Sequence, residues 1–141
     1  DHEFTGRAAL EAEQATGSGK RRVTLVFDPQ DVVQIYASLF DKEAAPFDYL
    51  DIPHPQRWVV WADEVRANGK SIGISSTPGY SFYFRDVLAL AFIDAAHAEP
   101  GTRVEIVWGA PGSRQTTINA TVQPAPYKTD NRRVSLTMAS A

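Results

Sequence analysis

The chain contains no cysteine, no long apolar run and little net charge, and each absence excludes a class of function. Without cysteine it cannot form disulfide bonds, thiolate metal sites or a cysteine nucleophile, and we expect a cytoplasmic protein. A membrane-spanning helix needs about 20 consecutive apolar residues, and no run approaches that length. A net charge of −3 over 141 residues gives no overall field for binding nucleic acid or an anionic membrane. The only basic run, Lys20 to Arg22, is expected to be a solvated strand entrance.

Recognisable catalytic motifs are also absent. The three histidines, His2, His54 and His97, lie far apart and never at metal-ligand spacing, so we expect solvated loop residues. The stretch GSGK at 17–20 resembles part of a phosphate-binding loop, but no strand precedes it and Arg21 stands where a hydroxyl residue is needed. There is no G-x-S-x-G motif and no evident pair of buried carboxylates. The chain by itself therefore does not look like a complete enzyme.

Alternating apolar and polar residues predict a mainly β protein of the α+β type. Asn68-Gly69 separates two alternating runs, which is a strong signal for a two-residue hairpin turn. The predicted strands span residues 21–27, 58–66, 70–76, 87–94, 102–108 and 114–123. Such strands, mostly in meander order, predict a small antiparallel β-barrel or a sandwich with two flanking helices.

The two helices are predicted before and after the first strand. Thr5 is expected to cap a helix that runs to about Gln14. In the second helix, Asp28 is predicted as the N-cap and Pro29 as the first helical residue. Its packed face is predicted to comprise Val32, Val33, Tyr36, Leu39 and Phe40. Residues 41–56 contain three prolines and no steady period, which predicts a long irregular loop of a kind that is often functional or mobile.

The stretch YSFYFRD at 80–86 is the most unusual in the chain, because it sets four aromatic residues and two opposite charges beside a predicted strand. One interpretation is structural: Phe82 and Phe84 close an open barrel end, with Tyr80 and Tyr83 half-exposed. The other is functional: the aromatic residues form a wall for a flat ligand or a neighbouring domain, and Arg85 meets a carboxylate. Alternation predicts that Phe82 and Phe84 face the interior while Tyr83 and Arg85 face the surface.

Three segments in this order carry a family resemblance: HEFTGRAALEAE at 2–13, GKSIGISSTPGYSFYFRDVLALAFID at 69–94, and GTRVEIVWG with INATVQPAPY after it. They are similar to the lead-in helix, the G-x-x-x-G-x-x-T-S-G motif and the closing strands of the last domain of the glycine-cleavage T-protein (aminomethyltransferase) family. The departures after Ser81, where Phe82 and Tyr83 replace smaller residues, and the insertion at 42–56 look more like the branch of tetrahydrofolate-dependent aromatic O-demethylases.

The resemblance implies a C-terminal β-barrel domain at 21–141, preceded by a lead-in helix and linker at 1–20, within a larger multidomain enzyme. Because the first residue is Asp1 rather than Met, we also expect a fragment of a longer protein. Such an enzyme transfers a methyl group from a methoxy-aromatic or aminomethyl donor to tetrahydrofolate, in a channel that this barrel would close without being catalytic alone. The implied partners are the upstream domains, which would bind most of the folate, together with folate and the methyl donor. Tyr83, Arg85 and Arg132 are the folate contacts expected from this chain.

Alternatives stay open at this point. An autonomous barrel that binds a ligand or a protein fits the same pattern, whereas a small hydrolase is disfavoured because no nucleophile–base pair is visible. Arg132 could instead be a solvated arginine near a chain end. Arg85 could instead form a local surface ion pair with Asp86. The parent reading frame would separate a domain of a longer enzyme from an autonomous module.

Overall fold

The computed structural model describes residues 4–17, 19–53 and 62–128, and these form a closed antiparallel barrel of six strands with two α-helices. The strands are β1 (Lys20–Phe27), β2 (Ala62–Ala67), β3 (Lys70–Ser81), β4 (Asp86–Asp94), β5 (Arg103–Trp108) and β6 (Thr116–Gln123). Helix α1 (Arg7–Thr16) precedes β1, helix α2 (Pro29–Ser38) follows it, and a short 3₁₀ helix (Ala95–His97) follows β4. The predicted mainly β fold is confirmed, and of the two architectures the chain adopts the barrel.

The strand order around the barrel is β1-β4-β3-β2-β5-β6. Strands β2, β3 and β4 follow one another as a meander, and β5 pairs with β6. In contrast, β1 pairs with β4 and β6, and β2 pairs with β5. Three of the five consecutive strand pairs are therefore neighbours, which agrees with the expected, mostly meander order. The pairings of β1 with β4 and β6 and of β2 with β5 were not predicted, because a sequence pattern identifies strands but does not say which distant strands pair.

Alternate residues of every strand fill the barrel interior, as the two-residue period of a strand requires. On β4 the inward positions are Val87, Ala89, Ala91 and Ile93, all buried, whereas Leu90 between them is 40% exposed. The other strands contribute Val23, Leu25, Phe27, Val65, Ala67, Ile72, Val104, Ile106, Trp108, Ile118, Ala120 and Val122. Glu105 is exposed between two of these, as predicted.

Two glycines are required by the backbone around β3: Gly69 in the turn from β2, and Gly73 where β3 approaches β4. Asn68 and Gly69 both have positive φ, 51° and 72°, which is the type I′ turn that the Asn-Gly pair predicts. Gly73 lies at a bulge where the β2–β3 register shifts, opposite Val65 and Ile93. A Cβ atom on Gly73 would lie 2.1 Å from the Phe92 carbonyl oxygen, so only glycine allows β3 and β4 to approach this closely here.

Most strand bounds agree with the predictions within two residues, but β3 is longer. It continues to Ser81, five residues beyond the predicted end, because the Ser-Thr-Pro-Gly stretch forms a second bulge instead of ending the strand. Thr77 takes a positive φ of 52° at this bulge. The first four residues of the strand predicted at 58–66 lie outside the described residues.

The helices begin as follows. Asp28 caps α2 as predicted: its carboxylate accepts from Gln30 N at 2.8 Å, and Pro29 is the first helical residue. The predicted Thr5 cap is wrong, because the N-cap of α1 is Gly6 in a left-handed conformation without a side-chain bond.

The predicted packed face of α2 needs a correction too. The buried residues are Ile35 and Ser38, with Val32 and Tyr36 packed beside them. Val33, Leu39 and Phe40 are exposed. No helix in the described part of the chain is long and apolar enough to cross a membrane.

Candidate functional site

The aromatic stretch forms the tip of the hairpin that joins β3 to β4. Ser81 pairs with Asp86, and residues 82–85 make the turn between them. Arg85 N donates to Ser81 O at 2.6 Å, and Phe84 N donates to Ser81 Oγ at 3.3 Å. Arg85 adopts φ 62°, a left-handed conformation that is uncommon for residues other than glycine and occurs mainly in turns. The hairpin tip (residues 82–85) is therefore a closed turn with defined hydrogen bonds, not an extended segment.

Phe84 is the centre of the aromatic contacts at this tip. Its ring meets Tyr83 edge-to-face at 4.8 Å and Tyr127 edge-to-face at 4.8 Å, in the geometry that aromatic pairs prefer. The Lys128 ammonium lies 4.7 Å from the centroid of the Tyr83 ring, within the range of a cation–π contact. These contacts join the hairpin tip to the segment that follows β6.

The structure corrects the predicted orientation of the phenylalanines. Phe82 is 74% exposed and meets only the edge of Tyr80, at a centroid distance of 5.1 Å, among the ring contacts of the described residues. Phe84 is half-buried against Tyr127. Alternation fails because it applies to extended backbone, and these residues form a turn. The expected exposure of Tyr83 and Arg85 is confirmed, with Tyr83 76% exposed.

Arg85 has no carboxylate partner within the described ranges, although Asp86 is its neighbour in sequence. The Asp86 carboxylate lies instead near the Tyr127 hydroxyl. Partial burial, with the charge of Asp86 as the second cause, raises the pKa of Tyr127. The local Arg85–Asp86 pair is therefore not formed, and the guanidinium is presented to solvent at the hairpin tip.

The long loop after α2 packs tightly against the same end of the barrel as the hairpin tip. Leu50 is 2% exposed, and its carbonyl accepts a hydrogen bond from the Tyr36 hydroxyl. Tyr80 N, near the end of β3, donates to Pro53 O at 2.6 Å. The described part of this loop, residues 41–53, is irregular as predicted, and it closes the barrel end that the phenylalanines were expected to fill.

A pair of carboxyl groups lies where this loop meets β2, and sequence reasoning missed it. Burial, together with the nearby Asp48 carboxylate, raises the pKa of Asp63 to about 6. Asp48 itself accepts from Ala110 N at 2.7 Å. Ser75, the register partner of Asp63, is 1% exposed, and its hydroxyl has no hydrogen-bond partner. The sequence did contain a signal for the inward orientation of Asp63. Asp63 precedes the inward-facing Val65 by two residues, and residues two apart on a strand share a face.

The predicted site residues are placed as follows. Tyr83 and Arg85 lie together on the hairpin tip. Lys128 lies over the Tyr83 ring, so the last described residue is beside this tip. Arg132 lies outside the described residues. The described residues contain no group of three histidine, aspartate or glutamate side chains placed to hold a metal ion.

Of the three histidines, only His97 falls within the described ranges, whereas His2 and His54 lie outside them. His97 ends the 3₁₀ helix after β4 and is half-buried, with its Nδ1 atom buried and without a hydrogen-bond partner. The prediction that His97 is a solvated loop residue is therefore only partly right.

These features define a small closed barrel with a hairpin tip that exposes the aromatic rings of Phe82 and Tyr83 and the guanidinium of Arg85. The family model of the "Glycine cleavage T-protein C-terminal barrel domain" matches residues 49–128, which is more than half of the chain. The chain therefore belongs to this family, and the resemblance seen in the sequence is confirmed.

Two curated relatives align with nearly the whole chain. It is 34% identical to a syringate O-demethylase of Sphingobium sp., an alignment that covers 90% of this chain and 29% of that protein. It is 36% identical to a sesamin methylene transferase of Sinomonas sp., covering 90% of this chain and 30% of that protein. The chain thus spans less than a third of the length of these relatives.

A solved structure shows the same fold. The glycine cleavage system aminomethyltransferase T from Bartonella henselae superimposes with a TM-score of 0.57, covering 89% of this chain and 26% of that one. The sequence identity is 17%, so this similarity establishes the fold alone.

Proposed function

We propose that the chain is the C-terminal part of a longer enzyme that transfers a one-carbon unit from a methoxy-aromatic or aminomethyl donor to tetrahydrofolate. Residues 1–20 would be the lead-in helix and linker, and residues 21–141 the barrel domain, which closes the folate channel and is not catalytic alone. The observation that carries the proposal is the pair of alignments in which 90% of this chain fits 29–30% of enzymes named for demethylation and methylene transfer.

A methoxy-aromatic donor is the better supported of the two donor classes. Both curated relatives are named for aromatic compounds, and the chain is 34% and 36% identical to them. The identity with the solved aminomethyltransferase is 17%. The hairpin tip adds exposed rings, Phe82 and Tyr83, and aromatic surfaces of this kind pack well against a flat ring.

The hairpin tip fits folate as one edge of a site. Tetrahydrofolate would supply the ring nitrogen that accepts the one-carbon unit. The exposed Tyr83 ring offers a face for stacking, and the exposed Arg85 guanidinium, which has no carboxylate partner among the described residues, can form forked hydrogen bonds to a folate carboxylate. A hairpin tip presents a single surface, so the upstream domains would supply the other walls. The contribution of this chain is to position the ligand and to exclude water.

The test uses the full-length polypeptide that carries this chain. Methyl transfer to tetrahydrofolate would be measured with syringate and vanillate as methoxy-aromatic donors, and in parallel with an aminomethyl donor. We expect folate-dependent transfer from the methoxy-aromatic compounds. Absence of transfer from both donor classes would overturn the proposal, whereas transfer from the aminomethyl donor alone would overturn only the donor assignment.

A further inference from the structure

On the outside of the barrel, the exposed large apolar side chains of the described strands lie on β3 and β4. Ile74 on β3 is 48% exposed, and Leu90 and Phe92 on β4 are 40% and 44% exposed. All three side chains point away from the interior, because their neighbours Ser75, Ala89, Ala91 and Ile93 are the buried ones. We call these three residues the β3–β4 patch.

Strand pairing makes the three residues of the patch neighbours. Ile74 pairs directly with Phe92, and paired residues on one face have Cβ atoms about 5 Å apart. Leu90 follows two residues from Phe92 on the same face, so the three side chains form one continuous surface. Arg22 borders the patch at Phe92, and Glu64 borders it at Ile74. An apolar centre with a charged rim is the usual composition of a protein interface.

The remaining outer surface of the barrel is different. The outward positions on the other strands are mostly polar: Glu64 and Arg66 on β2, Arg103 and Glu105 on β5, and Thr117, Asn119 and Thr121 on β6. Thr24, which pairs with Leu90, is only 7% exposed, and its hydroxyl donates to Pro124 O at 2.8 Å. The segment after β6 thus contacts the outer face of β1 at Thr24, whereas the three residues of the adjoining β3–β4 patch are 40–48% exposed.

We propose that the β3–β4 patch docks against the preceding domains of the same polypeptide. This rests on the proposed function, in which the chain is one domain of a longer enzyme. The chain corresponds to 29–30% of its relatives, so more than twice its own length of polypeptide accompanies this domain in them. The size of the patch favours a tethered occupant over a second copy. A stable complex of separate chains buries about 800 Å² per partner, whereas covalent linkage raises the effective concentration and makes a smaller contact sufficient.

The test is cysteine protection in the full-length polypeptide. The 141-residue chain has no cysteine, so Leu90→Cys introduces a thiol that peptide mass spectrometry can assign. Thr117→Cys, exposed on the outer face of β6, is the matched control. N-ethylmaleimide should label Leu90→Cys at least tenfold more slowly than Thr117→Cys in the native protein and equally fast in urea. Ile74→Cys provides a second position if Leu90→Cys does not fold.

Each outcome decides the proposal. Equal labelling of the patch and control cysteines in the native monomer would overturn it. Protection that disappears on dilution would identify a second copy as the occupant and would also overturn it. Labelling is independent of turnover, so an enzyme that transfers methyl groups with an open patch would refute the docking face alone. A protected patch in a polypeptide without methyl transfer would refute only the proposed activity.

Discussion

Arg85 is an exposed cation held at the end of a tight turn, without a carboxylate partner in the part of the chain that the structure describes. A surface arginine of this kind adds little to stability by itself. We therefore expect Arg85→Ala to change the free energy of unfolding of the 141-residue chain by less than about 0.5 kcal/mol. In the proposed full-length enzyme, where Arg85 would meet a buried carboxylate of folate or of a neighbouring domain, the same change should weaken tetrahydrofolate binding or domain docking by about 2–5 kcal/mol.

Arg103→Ala is the matched control, because Arg103 is an exposed arginine at the opposite end of the barrel. Titration of folate binding and urea unfolding of both proteins provide the two measurements. An equal loss of stability in the chain and in the full-length enzyme would place Arg85 in the barrel's own structure and would contradict the interface role.

Asp63 makes the stability of the chain depend on pH. Its pKa is about 6 in the folded protein against an ordinary value of 3.8. Between these values the folded state holds a proton that the unfolded state has lost, so stability falls as the pH rises from about 4 to about 6. Asp63→Asn removes the cost of the buried charge and should be more stable than the original chain above pH 6, by about 1–2 kcal/mol after discounting for partial exposure.

Urea unfolding between pH 4 and pH 7.5 checks this prediction, with Glu105→Gln as the control for loss of an exposed carboxylate. The advantage of Asp63→Asn should disappear near pH 4, where Asp63 of the original chain is protonated in the folded state. A pH-independent difference would mean that the substitution acts through packing rather than through the carboxyl charge.

At the scale of the element, the β3–β4 pairing depends on Gly73. A methyl group on this residue would lie 2.1 Å from Phe92 O and 2.7 Å from Ile93 Cα, so the two strands would have to separate. We expect Gly73→Ala to lower the free energy of unfolding by about 2–3 kcal/mol. Gly19→Ala is the control, because nothing lies within 4 Å of the position that its methyl group would take. Chemical denaturation measures both variants, and equal stabilities would show that the bulge can relax.

At the scale of the whole molecule, the described residues form a closed barrel, and the chain corresponds to only 29–30% of the length of its curated relatives. We therefore expect the isolated 141-residue chain to show no methyl transfer to tetrahydrofolate under conditions in which the full-length enzyme turns over. A folded sample, verified by its circular dichroism, should be inactive with syringate and with an aminomethyl donor. Turnover by the isolated chain would contradict the proposed division of labour between this barrel and the upstream domains.

The turn and the helix start that the sequence predicted correctly are each determined by two or three neighbouring residues. Asn68-Gly69 specifies a type I′ turn because both residues tolerate positive φ. Asp28 followed by Pro29 specifies a helix start because the side chain satisfies free amide groups and proline fixes a helical φ. The same logic failed at the Ser-Thr-Pro-Gly stretch, where the strand continues through a bulge because β4 supplies hydrogen-bond partners on the far side.

The candidate site was predictable only in part. The aromatic and charged stretch at 80–86 directed attention to Tyr83 and Arg85, and both are exposed on the hairpin tip as alternation predicted. The position of Phe82 was mispredicted because the turn at 82–85 is closed by hydrogen bonds to Ser81, which alternation does not encode. The proximity of Asp48 and Asp63 was not predictable, because it arises from a loop folding over a strand.

The sequence by itself determined that this chain is a cysteine-free, mainly β domain, and its motifs assign it to the T-protein barrel family. It could do so because strand period, turn chemistry and helix caps are local properties. Only the tertiary structure decided that β1 closes against β4 and β6, that residues 41–53 seal one barrel end, and that β3 and β4 expose an apolar wall. These depend on contacts between residues distant in sequence, whose free energy is set by packing and burial rather than by local preference.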